Sequence, residues 1–316
     1  MIHEGLWDSL RRWHKNLRSR LNHRPFFDIK MARRNFLILL DSRPSLPTPK
    51  EGEPEIIVSL TTFPARIRTV GWSLLSLFLQ ESLPHRIILN LSLAEFGGKQ
   101  LPQEILELQK LGLEVFWNED STFSYLKIMP TLTRFPDSII VTCDDDQYYS
   151  TQWLHKLLNA HANTPEAIVA HRVHRILLDD NAYPLPYNRW LHAHHSNNFA
   201  NPSMLNFATG VGGVLYPPHC FFDDVCRKDL YTALCPKADD IWLWGMELLA
   251  GREILFLDAP ERTLPTMVSQ KIALVKDNIY HKFNDKQIKN LIEHYPKIHE
   301  ILQAESTKAP SDSRQS

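Results

Sequence analysis

The stretch SIIVTCDDDQYY (138–149) is a short, β-branched apolar run that stops on three consecutive aspartates. Residues 138–142 carry the pattern of a buried strand, and the change to Asp144, Asp145 and Asp146 marks where that strand leaves the core. In open α/β sheets ligands collect at the carboxyl ends of strands, so three carboxylates at such an end point to a site.

Outward from this run, similar segments recur at 56–60, 86–91 and 113–117, with helical patterns at 69–80, 102–111 and 126–134 between them. Strand–helix alternation at this spacing predicts βαβ units and a mostly parallel sheet covered by helices. The second half is less regular. It predicts a helix at 151–162, strands near 167–171 and 213–216, a helix at 240–249, a strand at 253–257 and a last helix around 286–302.

The ends read differently. Residues 1–35 carry nine Lys or Arg against Glu4, Asp8 and Asp28, with Leu6, Trp7, Leu10, Trp13 and Leu17 near helical spacing. This is a basic amphipathic helix, which either packs on its own domain or lies on an anionic membrane, where each basic residue contributes about 1 kcal/mol. Ser42–Pro54 holds four prolines and reads as a linker. Residues 303–316 form a Ser/Lys/Pro/Asp-containing segment with too little apolar surface to order itself and are expected to be a disordered tail. The expected domains are an arm and linker at 1–50, a catalytic domain at 51–302, and the tail at 303–316.

A formal net charge of -1 lacks the broad basic footprint of nucleic-acid proteins, so no nucleic-acid partner is expected. The four cysteines form no CxxC pair, which argues against a zinc ribbon or disulfide framework and fits a reducing cytoplasm. No stretch approaches the roughly 20 apolar residues of a membrane-spanning helix, so the expected location is cytoplasmic, with peripheral attachment at the inner face of the cell membrane if the arm binds lipid.

Clustered carboxylates repel unless a cation or hydrogen-bond donors compensate, and hard oxygen ligands suit Mn²⁺ or Mg²⁺ bridging two phosphates. The plainer alternative is a turn in which one Asp caps the helix near Thr151, but capping needs one carboxylate and here are three. No GxxxxGK[ST] loop occurs, which excludes a P-loop enzyme, and the spacing of a Ca²⁺-binding loop is absent.

The run resembles the DxD motif of GT-A glycosyltransferases. IIVSLTTFPARI (56–67), FPDSIIVTCDDDQYY (135–149), FATGVGGVLYPP (207–218) and ADDIWLWGMEL (238–248) are similar to one bacterial group of that class, used in capsule and lipopolysaccharide synthesis. The resemblance implies a GT-A fold, Rossmann-like with a mostly parallel sheet flanked by helices. It implies donor contacts from Thr61, Thr62, Arg66, Asp120, Lys127, Asp144 and Asp145, with Arg66 otherwise a surface charge and Asp120 a turn residue. Metal ligation would fall to Asp146, Asp144 and His281, the last being otherwise a surface histidine.

Asp239 and Asp240 open an apolar helix, as a cap or, as the resemblance implies, beneath an acceptor. Asp240 is nominated as the base that takes the acceptor proton, with Asp239 as cap or acceptor contact. Gly212 and Gly213 would let backbone approach a sugar, and Tyr187, Trp190 and Trp242 would stack on it unless they pack in the core. The cluster His192, His194 and His195 reads as an exposed acceptor-side loop.

The expected activity is transfer of a sugar from a nucleotide-diphosphate donor, UDP-linked, to a glycan or lipid-linked glycan acceptor, with inversion. The rivals are a sugar-1-phosphate nucleotidyltransferase, disfavoured because 61–66 contains no glycine, and a non-catalytic binding module on the same fold.

Overall fold

The computed structural model describes residues 29–42, 45–98, 100–192, 201–257, 264–265 and 283–308. The strands in chain order are β1 Ile56–Thr61, β2 Arg86–Ser92, β3 Leu113–Asn118, β4 Ile139–Thr142, β5 Gln147–Tyr148, β6 Ile168–Ala170, β7 Val173–Arg175, β8 Leu191–His192, β9 Asn206–Ala208, β10 Val214–Tyr216, β11 Ile254–Phe256 and β12 Leu264–Pro265. Seven of them form one sheet in the order β11-β6-β10-β4-β1-β2-β3. All its neighbours run parallel except β10, which is antiparallel to both β4 and β6. The fold is therefore α/β with a mixed, mostly parallel sheet, as the strand–helix alternation predicts.

Successive side chains of a strand point to opposite faces, so a sheet covered on both sides needs apolar residues at every position. The central strands are apolar at most positions, with Ser59, Asn90 and Thr142 as buried polar exceptions. Val141 and Leu215 pack on one face with Leu74, Leu77, Leu154 and Leu157 of the helices Val70–Phe78 and Trp153–Asn163. Ile140, Val214 and Tyr216 pack on the other with Trp242, Met246, Leu291 and Leu302 of the helices Asp239–Leu249, Phe283–His294 and Pro296–Lys308.

Two boundaries differ from the sequence reading. The expected tail from 303 is helical as far as Lys308, in a helix that buries Ile298 and Leu302. Its polar residues include good helix formers, and Lys308 pairs with Glu305 one turn back at 2.7 Å. The single helix expected at 286–302 is two, interrupted at Tyr295–Pro296, because proline cannot continue the hydrogen-bond ladder that precedes it.

At the other end, Ile29–Ser42 is a helix whose Ala32, Phe36 and Leu39 are buried in the same core layer as Leu74. The part of the expected arm that is described thus packs on its own domain, and residues 1–28 lie outside the described residues. Among the described residues no helix is long and apolar enough to cross a membrane.

Candidate functional site

β1 and β4 are parallel neighbours in register Ser59 to Thr142, so the segments that follow them leave the sheet side by side. After β1 the chain makes a tight turn in which the Arg66 and Ile67 amides donate to the Phe63 carbonyl at 2.9 and 3.1 Å. This turn aims Thr62 and Arg66 at the acids after β4. The Thr62 hydroxyl donates to Asp145 Oδ2 at 2.5 Å, and Arg66 Nη1 donates to Asp145 Oδ1 at 2.7 Å. The same Nη1 lies 3.2 Å from Asp146 Oδ2, and Gln147 Nε2 donates to Asp146 Oδ1 at 3.0 Å.

Asp145, expected to meet the donor, is instead turned into the protein with both oxygens engaged. Burial pushes its carboxyl up to about 6, against the opposing pull of Arg66 and Thr62. Asp144 and Asp146 remain the more open pair. None of the three caps the following helix, whose first-turn amides receive no side-chain bond from its N-cap residue, Gln152.

Lys127 joins this run to the second acidic pair. Its Nζ lies 3.5 Å from Asp144 Oδ1 and 3.0 Å from Asp239 Oδ2. Burial opposes the ammonium charge, but Asp239, Asp144 and Asp240 outweigh it and hold the pKa well above the usual lysine range. The lysine is positioned by a polar ladder across the sheet. Asn118 Nδ2 donates to Asn90 Oδ1 at 3.3 Å, and Asn90 Nδ2 donates to Ser59 and Thr131, each at 3.1 Å. Ser59 Oγ then donates to the Lys127 carbonyl at 2.6 Å. Buried polar groups need partners, and this chain of them fixes the backbone on which the lysine sits.

The acidic pair opens the helix Asp239–Leu249, with Ala238 as N-cap and no side-chain cap bond. Of the two roles expected for Asp239, cap or acceptor contact, the cap is not formed: its carboxylate goes to Lys127. Asp240 accepts from the Gly210 amide at 3.1 and 3.2 Å, one bond to each oxygen. Burial, then the neighbouring charge of Asp239, raises the Asp240 carboxyl to about 7, with Lys127 opposing. A carboxyl poised near neutrality can take up a proton and release it again at physiological pH.

The glycine that touches this cluster was missed in the sequence. A Cβ on Gly210 would stand 2.6 Å from Lys127 Nζ and 3.2 Å from Asp240 Oδ1. The expected pair, Gly212 and Gly213, serves packing. Both have positive φ, a Cβ on Gly213 would sit 2.4 Å from the Trp153 ring, and the Gly212 carbonyl accepts from Trp153 Nε1 at 2.5 Å. Only the general signal of a glycine-rich loop was available, since the choice among its glycines depends on residues distant in sequence.

Other expected residues lie apart from the cluster. Trp242 is fully buried with Nε1 donating to the Val225 carbonyl at 2.9 Å, and Trp190 is 2% exposed with Nε1 on the Leu185 carbonyl. Neither offers a face for stacking, because both are core aromatics with satisfied N–H groups. Tyr187 is half-buried among His174, Trp190 and Phe207, and its phenol is raised chiefly by burial and then by the Asp240 charge. Asp120 is half exposed and pairs with Lys228. The Thr61 hydroxyl donates to the Asn90 carbonyl at 2.7 Å, which ties β1 to β2 at the edge of the site. His281, His194 and His195 lie outside the described residues.

Among the described residues no three His, Cys, Asp or Glu side chains converge on a common point as a metal cage. Divalent ions that work with phosphates do not need one: they take one or two carboxylates and complete their shell from substrate and water. Asp144 and Asp146, hard oxygen donors that remain partly open, fit that mode.

No protein-family model matches the chain, and no curated protein matches its sequence. Solved structures show likeness at low identity. A mannosyltransferase, PcManGT from Pyrobaculum calidifontis in complex with GDP-Man and Mn²⁺, is 10% identical with a TM-score of 0.43, covering 90% of this chain and 85% of that one. S. aureus TarS 1–349 is 14% identical with a TM-score of 0.43, covering 76% and 72%. A CMP:2-keto-3-deoxy-manno-octonic acid synthetase complexed with CTP is 11% identical with a TM-score of 0.40, covering 74% and 100%. Likeness at this level assigns neither substrate nor residue roles.

Proposed function

We propose that the protein is a metal-dependent glycosyltransferase of the GT-A type, moving a sugar from a nucleotide-diphosphate donor to a hydroxyl of a bacterial surface glycan or lipid-linked glycan. The observation that carries this reading is Lys127. One buried ammonium lies 3.5 Å from the acidic run after β4 and 3.0 Å from the acidic pair that opens a helix nearly a hundred residues later. Donor and acceptor chemistry need two such centres side by side.

In this reading Thr61, Thr62 and Arg66 border the nucleotide, and Arg66 and Lys127 face negative charge that grows on the diphosphate as the glycosidic bond breaks. Preorganised cations stabilise such charge more than water does, because they need not reorient as it forms. Asp144 and Asp146 would hold Mn²⁺ or Mg²⁺, which when bound supplies Lewis acidity to the leaving diphosphate. Asp240 accepts the acceptor hydroxyl proton, and its Gly210 bonds fix the carboxylate for that task. Direct attack by that hydroxyl inverts the anomeric centre. A UDP-linked donor and a cytoplasmic site of action complete the proposal.

The test is a panel of nucleotide sugars with Mn²⁺ and glycan acceptors, read by product mass. Transfer is expected, and Asp240→Asn should lower kcat by about 10²–10⁴-fold while leaving donor binding intact. Release of pyrophosphate from a nucleoside triphosphate and a sugar phosphate would instead establish a nucleotidyltransferase. Nucleotide binding without turnover would establish a binding module.

A further inference from the structure

The two cations of the site are built differently. Lys127 is locked: it is 7% exposed, pairs with Asp144 and Asp239, and has Gly210 packed against its Nζ. Arg66 stands on the turn after β1 with its side chain 14% exposed, its guanidinium over the Phe63 ring at 5.2 Å and its end directed at the carboxylates. Its Nη1 is shared between Asp145 at 2.7 Å and Asp146 at 3.2 Å. With Gln147 on the other oxygen, both Asp146 oxygens have donors.

We propose that Arg66 is a built-in counter-cation that holds the place of the divalent ion on Asp146 and yields it only to a ligand carrying a diphosphate. The inference rests on the reading above that Asp146 is a metal ligand, and it concerns the order and coupling of binding. A divalent ion needs direct access to a carboxylate oxygen, and a guanidinium bonded to the same group repels it. A diphosphate offers Arg66 a better partner, because phosphate oxygens accept two parallel N–H bonds from the guanidinium fork. Arg66 then moves from carboxylate to phosphate, and Asp146 opens as the metal's other ligands arrive with the donor. Metal and nucleotide thus bind as a coupled pair, each strengthening the other by the same factor. Asp145, bonded also to Thr62, keeps the turn in place while Arg66 changes partner.

The experiment is titration of Mn²⁺ into the full-length protein, followed by the paramagnetic resonance signal of free Mn²⁺, with and without UDP or GDP. Wild type, Arg66→Ala and Arg66→Lys are compared, each first shown folded by its thermal unfolding transition. Loss of one charge-assisted bond from the competitor corresponds to roughly tenfold or more in affinity. Without nucleotide, Arg66→Ala should therefore bind Mn²⁺ at least about tenfold more tightly than wild type. Arg66→Lys, which keeps the charge, should stay near wild type. A nucleoside diphosphate should tighten Mn²⁺ binding strongly in wild type and much less in Arg66→Ala. If nucleotide promotes Mn²⁺ binding equally in wild type and Arg66→Ala, and the two bind Mn²⁺ alike without it, the counter-cation role is overturned while the donor-site reading stands. If no form binds Mn²⁺ with either nucleotide, the donor-site reading fails and the inference falls with it.

Discussion

Glu247 gives a prediction that can be worked through from its surroundings. It lies on the helix Asp239–Leu249, two turns beyond Asp240, is 2% exposed, and its Oε2 has no hydrogen-bond partner among the described residues. Burial, and secondarily the charge of Asp240, raises its carboxyl from 4.5 to about 8. Below pH 4.5 folded and unfolded chains both hold this proton. Between 4.5 and 8 the folded chain keeps it while the unfolded chain loses it, so stability falls as pH rises, by about 1.4 kcal/mol per unit. Above 8 the full cost, about 4–5 kcal/mol, is reached and stays constant. Glu247→Gln keeps the shape and removes the titration. Urea unfolding of both proteins at pH 5 and pH 8.5 should show the variant gaining on wild type by about 4 kcal/mol between the two conditions. Parallel pH dependences would refute the argument, since apart from Asp240, whose charge acts on Glu247, the other groups cancel in the comparison.

Asp240, raised to about 7, must be ionised to accept a proton, so kcat/KM should rise through that pH and fall about tenfold per unit below it; a profile flat from pH 5.5 to 8.5 would remove Asp240 from the role of base. Gly213→Ala, with φ +102° and a Cβ 2.4 Å from the buried Trp153 ring, should cost about 3 kcal/mol or more in urea unfolding. Gly210→Ala, whose Cβ meets Lys127 and Asp240, should instead lower turnover more than stability.

The sheet was legible in the sequence because strands buried on both faces are apolar at most positions, and runs such as 56–60 and 138–142 admit few other structures. The acidic run was legible because three consecutive carboxylates after an apolar strand call for compensating partners, which Thr62, Arg66, Gln147 and Lys127 supply. What failed depends on tertiary neighbours. Trp242 sits in a helix apolar nearly all round, DDIWLWGMELL, so its pattern gave no direction for the ring, which points inward. Asp145 and Asp146 are adjacent in sequence, and only the position of the 62–66 turn decides which of them is drawn inward. The last helix was cut short at 302 because composition measures polarity, whereas residues 303–308 are held by helix propensity and by the packing of Ile298 and Leu302 just before them.

The reversed strand β10 has a consequence for how the protein can vary. Because it runs against β4 and β6, the segment entering it arrives at the same rim as the segments leaving β1 and β4, and Gly210 reaches Asp240 there. The segment leaving β10 departs from the opposite rim, where Tyr216 pairs with Ile140 near the start of β4. Changes before β10 fall beside Gly210 and Asp240, whereas the chain after Tyr216 begins on the far rim and returns to Lys127 only at Asp239.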